Sequence, residues 1–224
     1  MADGVDVSPL GALDHFRVLR GLFDLLCPRE CAACSEAPAE DAPFCVACGL
    51  PIPPVAGDLG GVPVVAAGTY APPLARAIAR MKFEGRPDFV APLATLLAPA
   101  ARRLGLGPND AWVPVPLHRS RLAERGYNQA ALLARALSRT TGAAFAPRVL
   151  ERLRATDQQA RLTRDERLVN VEGSFHARRP WTRGRVVLVD DVLTTGATAR
   201  ACLDALKGRG SEVIAVVALA RAAG

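Results

Sequence analysis

The sequence predicts an α/β fold, a parallel β-sheet flanked by helices, preceded by a small N-terminal metal-binding module. Three observations carry this. From residue 62 onward, short apolar strand-like runs alternate with helical patterns, the order that builds βαβ units. The run 186–189 is apolar at every position, as in a strand buried on both faces. Two carboxylates and a small, hydroxyl-rich loop follow it. Near the N-terminus, Cys31, Cys34, Cys45 and Cys48 form two Cys-x2-Cys pairs with ten residues between them.

The elements follow in chain order. Ser8-Pro9 reads as a helix start, with Ser as N-cap and Pro at the first helical position. Leu10, Leu13, Phe16, Leu19, Leu22, Phe23 and Leu26 then recur at helical spacing, so 1–26 is expected as an amphipathic N-terminal helix. The cysteine module occupies 27–50. Residues 51–61 are rich in Pro and Gly and read as a linker. The main domain is expected over 62–224. It opens with a strand at 62–70, a helix at 71–83 broken at Gly85-Arg86-Pro87, and a second helix at 89–104. A short strand at 111–115 is cut off by Pro114 and Pro116. A helix at 127–139, a strand at 148–153 and a polar segment at 154–167 follow. Strand 185–189, helix 197–207 and strand 212–219 complete the chain.

Composition bounds the function. The chain has 224 residues, half of them hydrophobic and 22% charged, which excludes global disorder and allows one core with a small appended module. No apolar run approaches the roughly 18 residues of a membrane span. Residues 1–10 are acidic, without the basic start of an export signal, so a cytoplasmic protein is expected.

In that compartment five cysteines packed between positions 27 and 48 read as metal ligands rather than disulfides. Each Cys-x2-Cys pair places two thiolates on one turn, and two pairs complete a closed four-sulfur zinc site. The connection between them is short and polar, so metal would supply the module's folding energy. A disulfide cluster and an iron-sulfur site are the competing readings. Cys27 is a spare sulfur able to exchange into the site. Cys202, on a predicted helix, reads as a small buried residue. Acidic surroundings and the charge of four thiolates make this module a folding clip or docking surface, not a contact for phosphates.

The segment 186–198 carries the most chemistry. Its carboxylates, Asp190 and Asp191, fall where open parallel sheets bind ligands, at the C-terminal end of a strand. The loop Thr194, Thr195, Gly196, Ala197, Thr198 then opens a helix, whose free N–H groups and dipole hold phosphate. Adjacent carboxylates suit vicinal ribose hydroxyls or a magnesium bound near them. A plainer reading is an Asp-Asp turn before an N-capped helix.

This 13-residue segment resembles the signature of type I phosphoribosyltransferases. Other stretches narrow the likeness: Pro114-Val115-Pro116-Leu117-His118-Arg119-Ser120-Arg121-Leu122, Arg125-Gly126-Tyr127-Asn128-Gln129-Ala130, then Gln159, Arg167, Asn170 and Gly173-Ser174-Phe175. With the paired cysteines, the chain resembles the ComF family of competence-associated, phosphoribosyltransferase-like proteins over about residues 20 to 220. The resemblance implies a type I phosphoribosyltransferase fold with an N-terminal zinc ribbon and a link to DNA uptake. The first function expected on this signature is that of a phosphoribosyltransferase, a glycosyltransferase-class enzyme of nucleotide metabolism, acting on phosphoribosyl pyrophosphate with magnesium and on an acceptor the residues do not name.

By the same resemblance Asp190 and Asp191 contact ribose hydroxyls and Thr194 through Thr198 hold the 5-phosphate. Arg119 is the first choice for pyrophosphate, since a guanidinium clamps two oxygens. Arg121 and Arg125 come second. His118 is either a phosphate partner or structural. Asn128 either caps a helix or closes the site. Gln159 and Arg167 sit in a polar lid over the active site.

Charge points to a second function. Residues 1–60 hold three Arg and nine acidic residues, whereas 102–164 hold twelve Arg and four acidic residues. An anionic partner should meet the middle of the chain. A non-catalytic factor binding single-stranded DNA is therefore an alternative function. A zinc-dependent adaptor docking competence or DNA-processing proteins through its N-terminal helix is a third. Ordinary solvated surface competes with both, because Arg outnumbers Lys 26 to 2 in an Ala-rich chain, as a GC-rich gene would encode.

Overall fold

The structure, a computed structural model, describes residues 29–38, 42–49, 52–154 and 173–223. The expected N-terminal helix, Cys27, and the lid residues Gln159 and Arg167 lie outside these.

A six-stranded sheet forms the body, in the order β1-β2-β8-β7-β3-β4. Its strands are β1 (Val55–Asp58), β2 (Pro63–Thr69), β3 (Ala111–Pro114), β4 (Ala144–Phe145), β7 (Val186–Leu193) and β8 (Val213–Arg221). Only the edge strand β1 is antiparallel to its neighbour. A separate antiparallel pair joins β5 (Leu150–Arg152) and β6 (Phe175–Ala177). The helices are α1 (Leu74–Phe83), α2 (Val90–Ala94), α3 (Ala98–Arg103), α4 (Arg119–Arg125), α5 (Gln129–Thr141) and α6 (Ala197–Lys207). This is the expected parallel sheet flanked by helices.

The continuous apolar run of β7 has a direct cause. Successive strand side chains face opposite ways. Val187 and Val189 join the core beneath α1, α2 and α5, with Met81, Leu93, Trp112 and Leu133. Val186 and Leu188 join the core beneath α6, with Leu203, Leu206 and Phe175. A strand covered on both faces has no polar side to alternate with.

Four local expectations are corrected. The stretch read as a linker carries β1, which pairs with β2 through Val55–Asp58. The single helix expected at 89–104 is broken into a 3-10 turn (Pro87–Phe89), α2, a second 3-10 turn (Thr95–Leu97) and α3. Pro92 and Pro99 each lack the N–H that a continuous helix would bond. The stretch between the 111–115 strand and the helix expected from 127, for which no element was expected, contains α4, capped by His118, whose ring accepts from Ser120 N at 3.3 Å. Lastly, β7 does not stop before the carboxylates but runs through them to Leu193.

The four-cysteine module packs on the α1 side of the sheet. Cys31, Phe44 and Cys45 are buried in the same core as Met81 and Phe89. Arg80 of α1 donates to the carbonyls of Cys31 (3.0 Å) and Ala32 (3.4 Å). Arg80 and Arg86 both pair with Glu30 and both lie over the Phe89 ring. Among the described residues no helix is long and apolar enough to cross a membrane.

Candidate functional site

A crevice opens where strand order reverses. From β7 the chain crosses to β8 on one side, and from β3 it crosses to β4 on the other. Open α/β sheets bind ligands at such a point, at the C-terminal strand ends. Here β3 stops at Pro114, opposite Val189, so β7 extends past it by the very residues that carry the carboxylates. The departing chain at Val115, Pro116 and Leu117 forms the facing wall of a cleft of about 310 Å³.

The strand's period of two decides how the acidic pair sits. Asp191 shares the side of Val187 and Val189 and meets α1, where Lys82 Nζ lies 2.8 Å from its Oδ1. Asp190 shares the side of Val186 and Leu188, and the charge of Arg152 on β5 reaches it. Both line the cleft. Burial, reinforced by the Asp191 charge, raises the Asp190 carboxyl to about 7, against the opposing pull of Lys82. Two carboxylates at the closed end of a crevice favour an arriving cation or hydroxyl donors. The residues therefore fit a divalent ion or a polyol.

Beyond β7 the chain turns at Gly196, with φ +76°, directly before α6. A side chain there would be strained, and its Cβ would stand 2.7 Å from the Leu59 side chain. Thr195 Oγ1 accepts from Ala197 N at 3.3 Å and shapes the loop. Thr194 through Thr198 all line the cleft, with the first turn of α6 opening into it.

The other predicted residues divide. Arg125 and Asn128 line the cleft; Arg119 and Arg121 do not. Both lie on α4, where Arg119 is exposed to solvent. Asn128 caps α5, accepting from Ala131 N at 3.3 Å and donating to Val115 O at 3.0 Å, so it also ties the two walls together. Arg125 donates to Gln129 Oε1 at 2.9 Å and lies over the Phe83 ring. Gln129 is 1% exposed and lines the cleft, and its Nε2 finds no hydrogen-bond partner among the described residues. A donor buried this way costs about 1–3 kcal/mol, which a ligand acceptor would recover.

Lys82, Arg152 and Tyr70 also line the cleft and were missed by sequence reasoning. Lys82 sits in the last turn of α1, where a cation is expected for the helix dipole alone. A usable signal existed: it is one of two lysines in a chain that otherwise uses arginine. Arg152 lies over the Phe175 ring in the β5–β6 pair, and burial foremost pulls its pKa below the ordinary value. Cys202 is fully buried behind Asp190, and burial pushes its thiol well up, as befits an inert core residue.

Cys31, Cys34, Cys45 and Cys48 come together as expected. Their sulfurs all lie within 4.8 Å of one another, and Cys34 and Cys45 are 3.6 Å apart. Sulfurs around one tetrahedral zinc stand about 3.8 Å apart, given Zn–S bonds near 2.3 Å. Burial opposes charge on Cys31, yet backbone N–H groups of Cys45 and Ala33 outweigh it and draw the thiol down to about 7. Hydrogen bonding to Cys34, with burial, pushes Cys48 up to about 12. One thiolate is favoured and its neighbour resisted, and a bound cation would favour both. The cluster is consistent with a zinc ribbon.

Comparison with known proteins agrees with the fold of the domain that holds the cleft. Residues 122–224 match the phosphoribosyl transferase domain. DNA utilization protein YhgH of Salmonella typhimurium is 33% identical over 203 residues, covering 85% of this chain and 89% of that protein. Competence protein F of Haemophilus influenzae is 33% identical over 207 residues, covering 86% and 90%. Competence protein ComFC of Bacillus subtilis is 31% identical over 150 residues, covering 65% and 59%. With relatives of this identity along nearly the whole chain, a phosphoribosyl transferase domain and an N-terminal cluster of four cysteines, the chain belongs to the ComF family.

Proposed function

We propose that the switch-point cleft binds phosphoribosyl pyrophosphate with magnesium, and that zinc closes the four-cysteine module. One observation carries this reading. The acidic pair of β7 and the threonine loop of α6 share a single crevice with Lys82, Arg125 and Arg152. The loop and the α6 N-terminus suit a 5-phosphate. Asp190 and Asp191 suit the ribose hydroxyls. The three cations suit the pyrophosphate, with Arg125 in the role that sequence order first suggested for Arg119. Magnesium, when bound, would add charge neutralisation at the pyrophosphate. Transfer would break the bond from ribose C1 to pyrophosphate and form one from C1 to an acceptor. These residues would act by positioning and by stabilising charge, with no protein base required.

The names of the relatives, referring to DNA utilization and to competence, support a place for the chain in the handling of DNA. A second reading, direct contact with single-stranded nucleic acid, is favoured by an arginine-lined groove far from the cleft.

Calorimetry with magnesium present tests the first reading. The native zinc-loaded protein is expected to bind phosphoribosyl pyrophosphate, and Asp190→Asn/Asp191→Asn to lose that binding. A native protein that binds none would overturn the assignment.

A further inference from the structure

A second groove, of about 600 Å³, opens at the opposite edge of the sheet from the cleft, where β3, β7 and β8 begin. Phe145, Arg148, Arg179, Trp181 and Arg183 line it, and no described carboxylate does. The connection from β6 to β7 forms one wall. It is held firmly for a surface segment. Trp181 donates through Nε1 to Asn109 O at 2.8 Å and through its backbone N to Ser211 Oγ at 2.9 Å. Arg185 closes the segment on the buried Asp110, with backbone N at 2.7 Å and Nη2 at 2.8 Å. Gly184 is required at the crossing, because a Cβ there would stand 2.7 Å from Asn109 O.

The arginines of this segment divide by role. Arg178 pairs with Glu151 and Arg185 with Asp110. Arg179 and Arg183, with Arg148 across the groove, are exposed and form no ion pair among the described residues. The Arg183 guanidinium lies 5.9 Å from the centre of the Trp181 ring. Scattered solvated arginines would be mixed with acids. Three in one groove with no carboxylate among its described lining residues raise the local potential and suit a polyanion. The indole and the Phe145 ring add flat apolar faces, which bases of a single strand can stack on and paired bases cannot.

We propose that this groove binds single-stranded nucleic acid, with backbone phosphates on Arg148, Arg179 and Arg183 and a base stacked at Trp181. The proposal rests on the second reading above and is independent of phosphoribosyl pyrophosphate binding.

The protein contains its own reporter. Of its two tryptophans, Trp112 is fully buried and bonded to Thr141, so quenching by a stacked base belongs to Trp181. The test titrates full-length zinc-loaded protein with an oligothymidylate of about 15 nucleotides at graded salt, reading tryptophan emission and anisotropy. Binding with quenching is expected, weakening as salt rises. Arg148→Ala/Arg179→Ala/Arg183→Ala should lower affinity about tenfold or more and flatten the log–log salt slope by about two. Its Tm should stay near the native value, since the three side chains are exposed and form no ion pair among the described residues. Binding that leaves Trp181 unquenched and survives the triple substitution would overturn the proposal. If Asp190→Asn/Asp191→Asn instead abolishes it, nucleic acid uses the cleft: the second reading stands and this location fails. No binding by native protein at low salt would overturn both. Equal competition by polyglutamate would reassign the groove to acidic proteins.

Discussion

At the residue scale the informative group is Asp190, whose carboxyl titrates at about 7 because it is buried beside Asp191. A ligand that brings a cation or hydroxyl donors needs the carboxylate form. Affinity for phosphoribosyl pyrophosphate with magnesium should therefore rise between about pH 6 and pH 8. Calorimetry across that range should show the rise in the native protein and a flat profile in Asp190→Asn. The linked effect on folding has the opposite sign. A raised acid favours the fold below its unfolded pKa near 4 and loses that contribution as pH climbs through 7. The charge of Lys82, whose Nζ lies 2.8 Å from Asp191, opposes the shift. Lys82→Met should move the midpoint of the binding profile upward by about one unit, and an unmoved midpoint would deny Lys82 this role. The aspartates were legible in sequence because they stand in a contiguous motif. Lys82 was not, because more than 100 residues separate it from its partner.

At the element scale, α1 joins the two halves of the molecule. Three consecutive residues reach three places: Arg80 to the backbone of Cys31, the Met81 carbonyl to the Tyr127 hydroxyl, and Lys82 to Asp191. The four-cysteine module thus braces the helix that supplies a wall of the cleft. If zinc closes this module as proposed, a chelator should lower Tm and weaken ligand binding in the cleft about fivefold or more. Arg80→Ala, which leaves the cysteines untouched, should weaken binding in the same direction. Unchanged affinity in both would show the module to be a separate clip. The same scale holds the Asp110–Arg185 clamp. The Arg185 guanidinium beside it holds the Asp110 carboxyl well below the usual carboxylate range. A lowered acid contributes stability above its unfolded pKa near 4 and loses it as pH falls further. Asp110→Asn should lower Tm by about 3–6 °C at neutral pH, by weakening the acceptor for Arg185 and for Gly107 N. The gap between native and variant should close as pH falls below about 4 in thermal melts. Helix α4 and the broken 89–104 region were misread at this scale, since short helices leave too few residues for periodicity to register.

At the scale of the whole molecule, charge is sorted by fold rather than by position in the chain. The sequence places the positive excess in 102–164. Within that stretch Arg125 and Arg152 turn into the cleft, while Arg148 turns to the opposite edge and meets Arg179 and Arg183 from a later segment of the chain. The two basic sites therefore lie at the two ends of one parallel sheet. Phosphoribosyl pyrophosphate and an oligonucleotide should bind together without competing, and a displacement titration with both ligands checks this.

The amino-acid order alone determined the βαβ plan, the two pairs of cysteines and the acidic pair with its threonine loop. Each is written in neighbouring residues or in a short period, where covalent connection fixes the geometry. Tertiary structure alone decided that β7 overhangs β3 to open the cleft, and that Lys82, Arg125, Gln129 and Arg152 face into it while Arg119 and Arg121 do not. Those outcomes depend on strand register, sheet order and helix orientation. These are set by packing between segments far apart in the chain, which no local pattern encodes.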